Sequence, residues 1–241
     1  MPMTSQEKNK PKAPPDADDI LKQFSNPVLI TCRVVFLAIF RLAKWVLRVK
    51  WDVQGATELT TLEQPIIFAS NHQSHLDTHV ILDALPTRFK KHTAVAAAFD
   101  HFADVEGTSK RKWLIQIFVA AVWHAFGIDR LHSPISSIRT MQNLLHKGWS
   151  IVIYPEGTRS RTGVIAQFKP GLAVVAKKSG RPVVPIYIQG GMHVLPEATY
   201  IPKSGVMSVS FGEPLHFKQD ESSADFMARV ESAVRTMAQN E

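Results

Sequence analysis

The sequence predicts an α/β fold: a mixed, mainly parallel sheet covered by helices, preceded by an N-terminal amphipathic helix. Three observations carry this. Short apolar runs at 65–69 (PIIFA), 150–154 (SIVIY) and 182–188 (PVVPIYI) have the length and β-branched content of buried strands. Segments with apolar residues three and four apart stand between them. With 241 residues, 45 % of them hydrophobic, the chain has material for one sizeable domain, and alternating strands and helices favour parallel pairing.

Residues 1–25 are polar and Pro-rich and read as a disordered tail. They hold no apolar core of signal-peptide type, so secretion is not expected. Residues 26–50 read as a membrane-associating amphipathic helix. Arg33, Arg41, Lys44 and Arg48 fall within an arc of roughly 80° at 100° per residue, and most of the remaining circumference is apolar. Charges on that scale disfavour a spanning helix and suit one lying in the bilayer interface; a helix packed on the domain with its cations in water, and a true span, stand as alternatives.

Residues 51–241 form the α/β domain. After the strand at 65–69 come a short helix at 74–85 ended by Pro86, a strand at 93–97 and a buried helix at 113–126. The next helix, 133–147, has Ser133 as N-cap, Pro134 in its first turn and Gly148 as its stop. A strand at 150–154, a helix at 171–179 stopped by Gly180, and strands at 182–188 and 206–211 follow. Phe226, Val230, Val234 and Met237 line one side of a closing helix at 222–237.

The formal net charge of +7 implies anionic partners. Cys32 is the one cysteine, which excludes an internal disulfide. No G-x-G-x-x-G or G-x-x-x-x-G-K-[ST] nucleotide fingerprint is present.

Two clusters carry chemistry. Directly after a strand stands Asn71-His72-Gln73-Ser74-His75-Leu76-Asp77. Five residues apart on one helix, His72 and Asp77 would diverge by about 140°. With His72 in a turn and Asp77 in the first helical turn, the carboxylate reaches the imidazole and leaves the other nitrogen free to take a proton from a hydroxyl. Asn71, Ser74 and Gly171 are expected to line the pocket. His75 and His79, one turn apart, lack a third ligand, so no metal is expected.

The second cluster, Glu156-Gly157-Thr158-Arg159, follows the strand at 150–154. Its arginine fork and hydroxyl suit a phosphate, and Lys169 stands before a helix that starts at Gly171. Arg130, in Gly127-Ile128-Asp129-Arg130, can add to such a site. Pro185, inside an apolar strand, suggests an edge or bulge at a pocket wall.

In order these elements read N-H-x-x-x-x-D, G-I-D-R, P-E-G-T-R-S, F-K-x-G and V-P-I. That set resembles the glycerolipid acyltransferases of the 1-acylglycerol-3-phosphate (PlsC) type. The resemblance implies acyl transfer from acyl-CoA or acyl-ACP to the free hydroxyl of a lysophospholipid, 1-acylglycerol-3-phosphate giving phosphatidic acid, with His72 as general base oriented by Asp77. It implies an acceptor-phosphate site of Glu156, Gly157, Thr158 and Arg159, supported by Arg130 and Lys169. It further implies membrane lipids as partners, the cytoplasmic face of a membrane as location, and no nucleic acid, metal or resident cofactor. The sequence leaves open the donor, the acyl length, the acceptor and the oligomeric state. An acyltransferase on another lysophospholipid or on glycerol-3-phosphate, a hydrolase and a non-catalytic lipid-binding module stand as alternatives.

Overall fold

The computed structural model describes residues 16–98, 122–128, 134–196, 199 and 201–240. The described strands form one sheet in the order β1-β7-β6-β2-β5-β3-β4: β1 Val49–Gln54, β2 Ile67–Ser70, β3 Thr93–Ala98, β4 Ala125–Ile128, β5 Ser150–Ile153, β6 Val183–Gln189 and β7 Gly205–Phe211. Neighbouring strands are parallel except β6 and β7. The expected mixed, mainly parallel sheet is present.

Period-two alternation divides the core between the two faces of the sheet. Ile67, Ala69, Ile151 and Ile153 point to one face. There they meet α1 (Ala17–Phe24), α5 (Pro134–His146), α6 (Gly171–Ser179) and α8 (Ser223–Gln239). Phe68, Val152, Val184 and Ile186 point to the other, under α3 (Asp77–Ala84) and α4 (Thr87–Lys91). A four-residue helix, α7 (Gly191–Val194), follows β6. Ser222 caps α8 by accepting from the Asp225 amide, as its position before the apolar repeat requires.

Several expectations are corrected. Residues 17–24 of the expected tail are helical, because Ala17, Ile20 and Phe24 bury one side of α1 against the sheet; residues 1–15 lie outside the described residues. The amphipathic helix, α2 (Pro27–Val46), stops short of residue 50. Arg48 adopts φ 54°, and β1 begins at Val49. Of the helix expected at 113–126, residues 113–121 lie outside the described residues, while Ala125 and Phe126 belong to β4.

α2 turns its apolar surface outward. Val28, Val34, Ile39, Leu42, Trp45 and Val46 are exposed, Trp45 at 78 %. The opposite side docks on the domain. Phe40 packs on His79 at 3.9 Å, and Lys44 pairs with Asp83 at 3.7 Å and lies over Trp51. Among the described residues no helix is long and apolar enough to cross a membrane.

His79 on α3 and His124 before β4 are buried. Burial brings His79 down to about 4, Asp83 acting against it, and His124 down to about 3, with Arg33 adding to the fall. Both are neutral in the fold and free to protonate in the unfolded chain, whose histidines titrate near ~6.5. Unfolding therefore takes up protons below that pH, and stability falls as pH drops from about 6.5 toward 4. For His79 the full loss is about 3 kcal/mol. Denaturant titrations between pH 7 and 5 check this: His79→Phe is expected to show a shallower decline than wild type.

Candidate active site

β2 lies between β6 and β5, so its carboxyl end opens where both neighbours also end. Open α/β sheets bind ligands in such a crevice. Asn71 and His72 follow β2 directly, and Tyr154 to Glu156 follow β5. Gly190 and Gly191 follow β6.

The chain from 73 to 76 forms a turn, and α3 starts at Asp77. This folds the carboxylate back on the histidine. Asp77 Oδ2 lies 2.9 Å from His72 Nδ1. The same oxygen accepts the Gln73 amide at 2.6 Å and the Ser74 amide at 2.7 Å. These donors offset the cost of a carboxylate that is wholly buried. A carboxylate only accepts, so Nδ1 carries the proton and Nε2 keeps its lone pair. Nε2 has no partner among the described residues, and the His72 side chain retains 18 % exposure.

The loop after β5 is stitched to this turn. Glu156 accepts the His72 amide on Oε1 and the Ala166 amide on Oε2, both at 2.8 Å. The Ser160 amide returns to the His72 carbonyl at 2.8 Å, which sets Arg159 next to the histidine in space. Gly157, at φ 76°, makes the sharp turn between. Arg159 is half-buried and Thr158 exposed. The Lys169 amide donates to the Pro155 carbonyl, so Lys169 and the start of α6 sit behind the same loop. From the far side, Glu231 on α8 accepts the Phe168 amide and Arg235 donates to the Ile165 carbonyl.

The expected site residues thus separate. His72, Asp77, Gly157, Thr158 and Arg159 come together. Glu156 is corrected from phosphate ligand to loop clamp: both oxygens are taken by amides, and a carboxylate repels phosphate. Burial pushes its carboxyl above the ordinary glutamate value, while the Ala166 and His72 amides pull it back. Glu156→Gln is expected to cost about 1–3 kcal/mol, because a carboxamide has one acceptor and turns an NH₂ toward a backbone N–H. The shift in urea midpoint measures it.

Asn71 does not line a pocket. Its amide exchanges two 2.8 Å hydrogen bonds with Ile188 of β6, standing in for backbone where β2 has ended. Ser74 is likewise buried and bonds the Leu195 carbonyl. Pro185 lies in an interior strand, not at an edge. Its missing N–H falls between the isolated Val183–Leu215 bridge and the β6–β7 ladder that begins at Ile186, so no ladder bond is lost. A Cβ at Gly171 would meet nothing within 4 Å, so this glycine is no steric requirement. Arg130 lies outside the described residues.

Two residues went unread. Tyr154 stacks on the His72 ring, with centroids 3.9 Å apart and planes at 16°. Gly191 packs against Asp77: a Cβ there would lie 2.7 Å from Oδ1.

A family model described as Acyltransferase matches residues 50–189, which hold both loops and every sheet strand from β2 to β6. The chain belongs to the Acyltransferase family. Curated relatives of this chain include the chloroplastic 1-acyl-sn-glycerol-3-phosphate acyltransferase BAT2 of Brassica napus, 32 % identical over 61 % of this chain and 39 % of that one. Another is the 1-acyl-sn-glycerol-3-phosphate acyltransferase of Bacillus subtilis, 33 % identical over 58 % of this chain and 63 % of that one. The chain thus spans well under two thirds of the plant relatives it matches. The crystal structure of the 1-acyl-sn-glycerophosphate (LPA) acyltransferase PlsC from Thermotoga maritima matches 93 % of this chain and 79 % of its own, with TM-score 0.61 at 23 % identity. That likeness is one of fold.

Proposed function

We propose that this chain is an O-acyltransferase that moves a fatty acyl group from a thioester, acyl-CoA or acyl-ACP, to the free hydroxyl of a lysophospholipid. The acceptor we favour is 1-acyl-sn-glycerol-3-phosphate, giving phosphatidic acid. The observation that carries the reading is the His72–Asp77 pair, with the Arg159 loop bonded to the backbone of the same histidine. The names of the relatives support the acceptor.

In this reading His72 Nε2 takes the proton of the acceptor hydroxyl as its oxygen attacks the thioester carbonyl. Asp77 holds Nδ1–H and stabilises the imidazolium that forms. Collapse of the tetrahedral intermediate breaks the C–S bond, and the departing thiolate takes the proton back from Nε2. Arg159, with Thr158 and Lys169, holds the acceptor phosphate. The outward face of α2 lies in the membrane interface, its apolar residues among acyl chains, with Arg41 and, just past the helix, Arg48 at the phosphates.

The test is thiol release from acyl-CoA with and without lysophosphatidate vesicles. Release that requires the acceptor supports transfer. Release without it indicates hydrolysis, and none indicates a binding module. Arg159→Ala is expected to raise the acceptor KM roughly 10- to 100-fold with the donor KM unchanged, as loss of a charge-assisted contact requires.

A further inference from the structure

Among the described residues two groups meet the imidazole itself, the Asp77 carboxylate and the Tyr154 ring, and the acyl-transfer reading uses only the carboxylate. The other is the Tyr154 ring. Its near-parallel stack at 3.9 Å covers one face of His72, while Asp77 holds the ring edge at Nδ1. A single hydrogen bond at Nδ1 leaves the imidazole free to rock about it; a flat surface against one face removes that freedom.

The phenol is itself anchored. Tyr154 Oη and Thr78 Oγ1 are 2.8 Å apart, and Thr78 follows Asp77 on α3. The two supports of the histidine therefore move together: β5 supplies the aromatic plane, and α3 both pins that plane and supplies the acid. Burial, with the Asp77 carboxylate near, pushes the phenol above its ordinary value. The hydroxyl thus stays protonated and engaged with Thr78, which leaves the ring face as the part of Tyr154 that acts on His72. An aromatic face attracts a cation more than a neutral ring. The stack therefore favours the imidazolium that forms only as the acceptor loses its proton, so its effect falls on kcat.

We infer that Tyr154 is a positioning residue for acyl transfer, whose ring fixes the plane of His72 and stabilises its protonated form through stacking. This rests on His72 being the general base.

The experiment compares Tyr154→Phe, Tyr154→Leu and His72→Ala in acyl-CoA and lysophosphatidate kinetics and in proton NMR. His72 ring protons, assigned by their loss in His72→Ala, are expected upfield of an unstacked histidine in wild type. Tyr154→Phe keeps the shift and a kcat within a few-fold of wild type. Tyr154→Leu loses the shift, and kcat falls roughly 10-fold with both KM values little changed. Equal kcat for Leu and Phe variants, or a wild-type His72 without the upfield shift, overturns the inference; the second readout needs no variant of Tyr154 to fold. Activity in His72→Ala overturns the acyl-transfer mechanism itself, a separate outcome.

Discussion

Replacing His72 by alanine is expected to lower kcat by about 10²- to 10⁴-fold while leaving the fold close to wild type. The two halves of that statement have different physical origins. The kinetic loss follows from removing the one described group whose free nitrogen opens into the crevice. The structural tolerance follows from Asp77. Without the imidazole, its Oδ2 still accepts the Gln73 and Ser74 amides, so no buried charge is stranded. Stability should drop by only about 1 kcal/mol. Asp77→Asn should behave otherwise. With its amide oxygen in the Oδ2 place the three N–H contacts survive, but the amide nitrogen then fills the buried Oδ1 place, where nothing among the described residues accepts its hydrogens, and the neutral amide no longer stabilises the imidazolium. That variant is expected to lose both activity and thermal stability. Thermal melts beside single-turnover acylation separate the two, and His72→Ala with more than a tenth of wild-type turnover would remove the histidine from the mechanism.

The asymmetry between the two variants also explains what was legible in the sequence. The strand at 65–69, the turn residues after it and the apolar period of α3 are local signals, and they suffice to bring His72 and Asp77 together. The same holds for β5 and the turn at Gly157, where a glycine between a strand and two hydroxyls marks a sharp bend. Spacing cannot say what a carboxylate touches. Glu156 looked like part of a ligand shell because it adjoins Arg159; its partners are amides at 72 and 166, one far behind it in the chain and one beyond the loop. Asn71 and Ser74 failed as pocket residues for the same reason, since their partners Ile188 and Leu195 come from the β6 side.

The elements that went unread are those stabilised by distant surfaces. β1 is largely exposed and lacks an apolar run; its ladder with β7, from Val49↔Gly205 to Gln54↔Ser210, makes it a strand. α1 is eight residues long, too short to persist alone, and it forms because Ile20 and Phe24 meet a core built mostly from residues beyond 65. α2 shows the limit from the other side. A helical wheel puts the cations of this segment within one arc, yet Lys44 is turned to Asp83 and Trp51 while Arg41, and Arg48 just past the helix, stay exposed. A helical wheel gives the stripe and not the side from which the domain approaches.

Gly191→Ala is the second change expected to have a large effect, and no sequence pattern flags it. Gly191 opens α7, immediately after β6. Its φ is not left-handed, so backbone freedom is not what demands glycine there; space is. An added Cβ would lie 2.7 Å from Asp77 Oδ1, 2.8 Å from Ser74 Cβ and 3.2 Å from Met207 Cε. The methionine tip can yield. The carboxylate cannot, because Oδ2 is held by three donors, and Ser74 is fixed by its own bond to Leu195. Relief must come from rotating Asp77, which opens the Nδ1 contact, or from shifting α7 away from the sheet. A displacement near 1 Å at a catalytic group costs on the order of 10²-fold in rate, and overpacking adds about 1–3 kcal/mol of instability. Gly171→Ala is the matched control: the same methyl enters open space at a helix start and is expected to leave turnover unchanged and stability equal or slightly higher. Steady-state kinetics and melts of the pair decide the matter. Equal kcat in the two variants would mean that Asp77 has room its packing does not reveal, and that the acid can move without releasing the histidine.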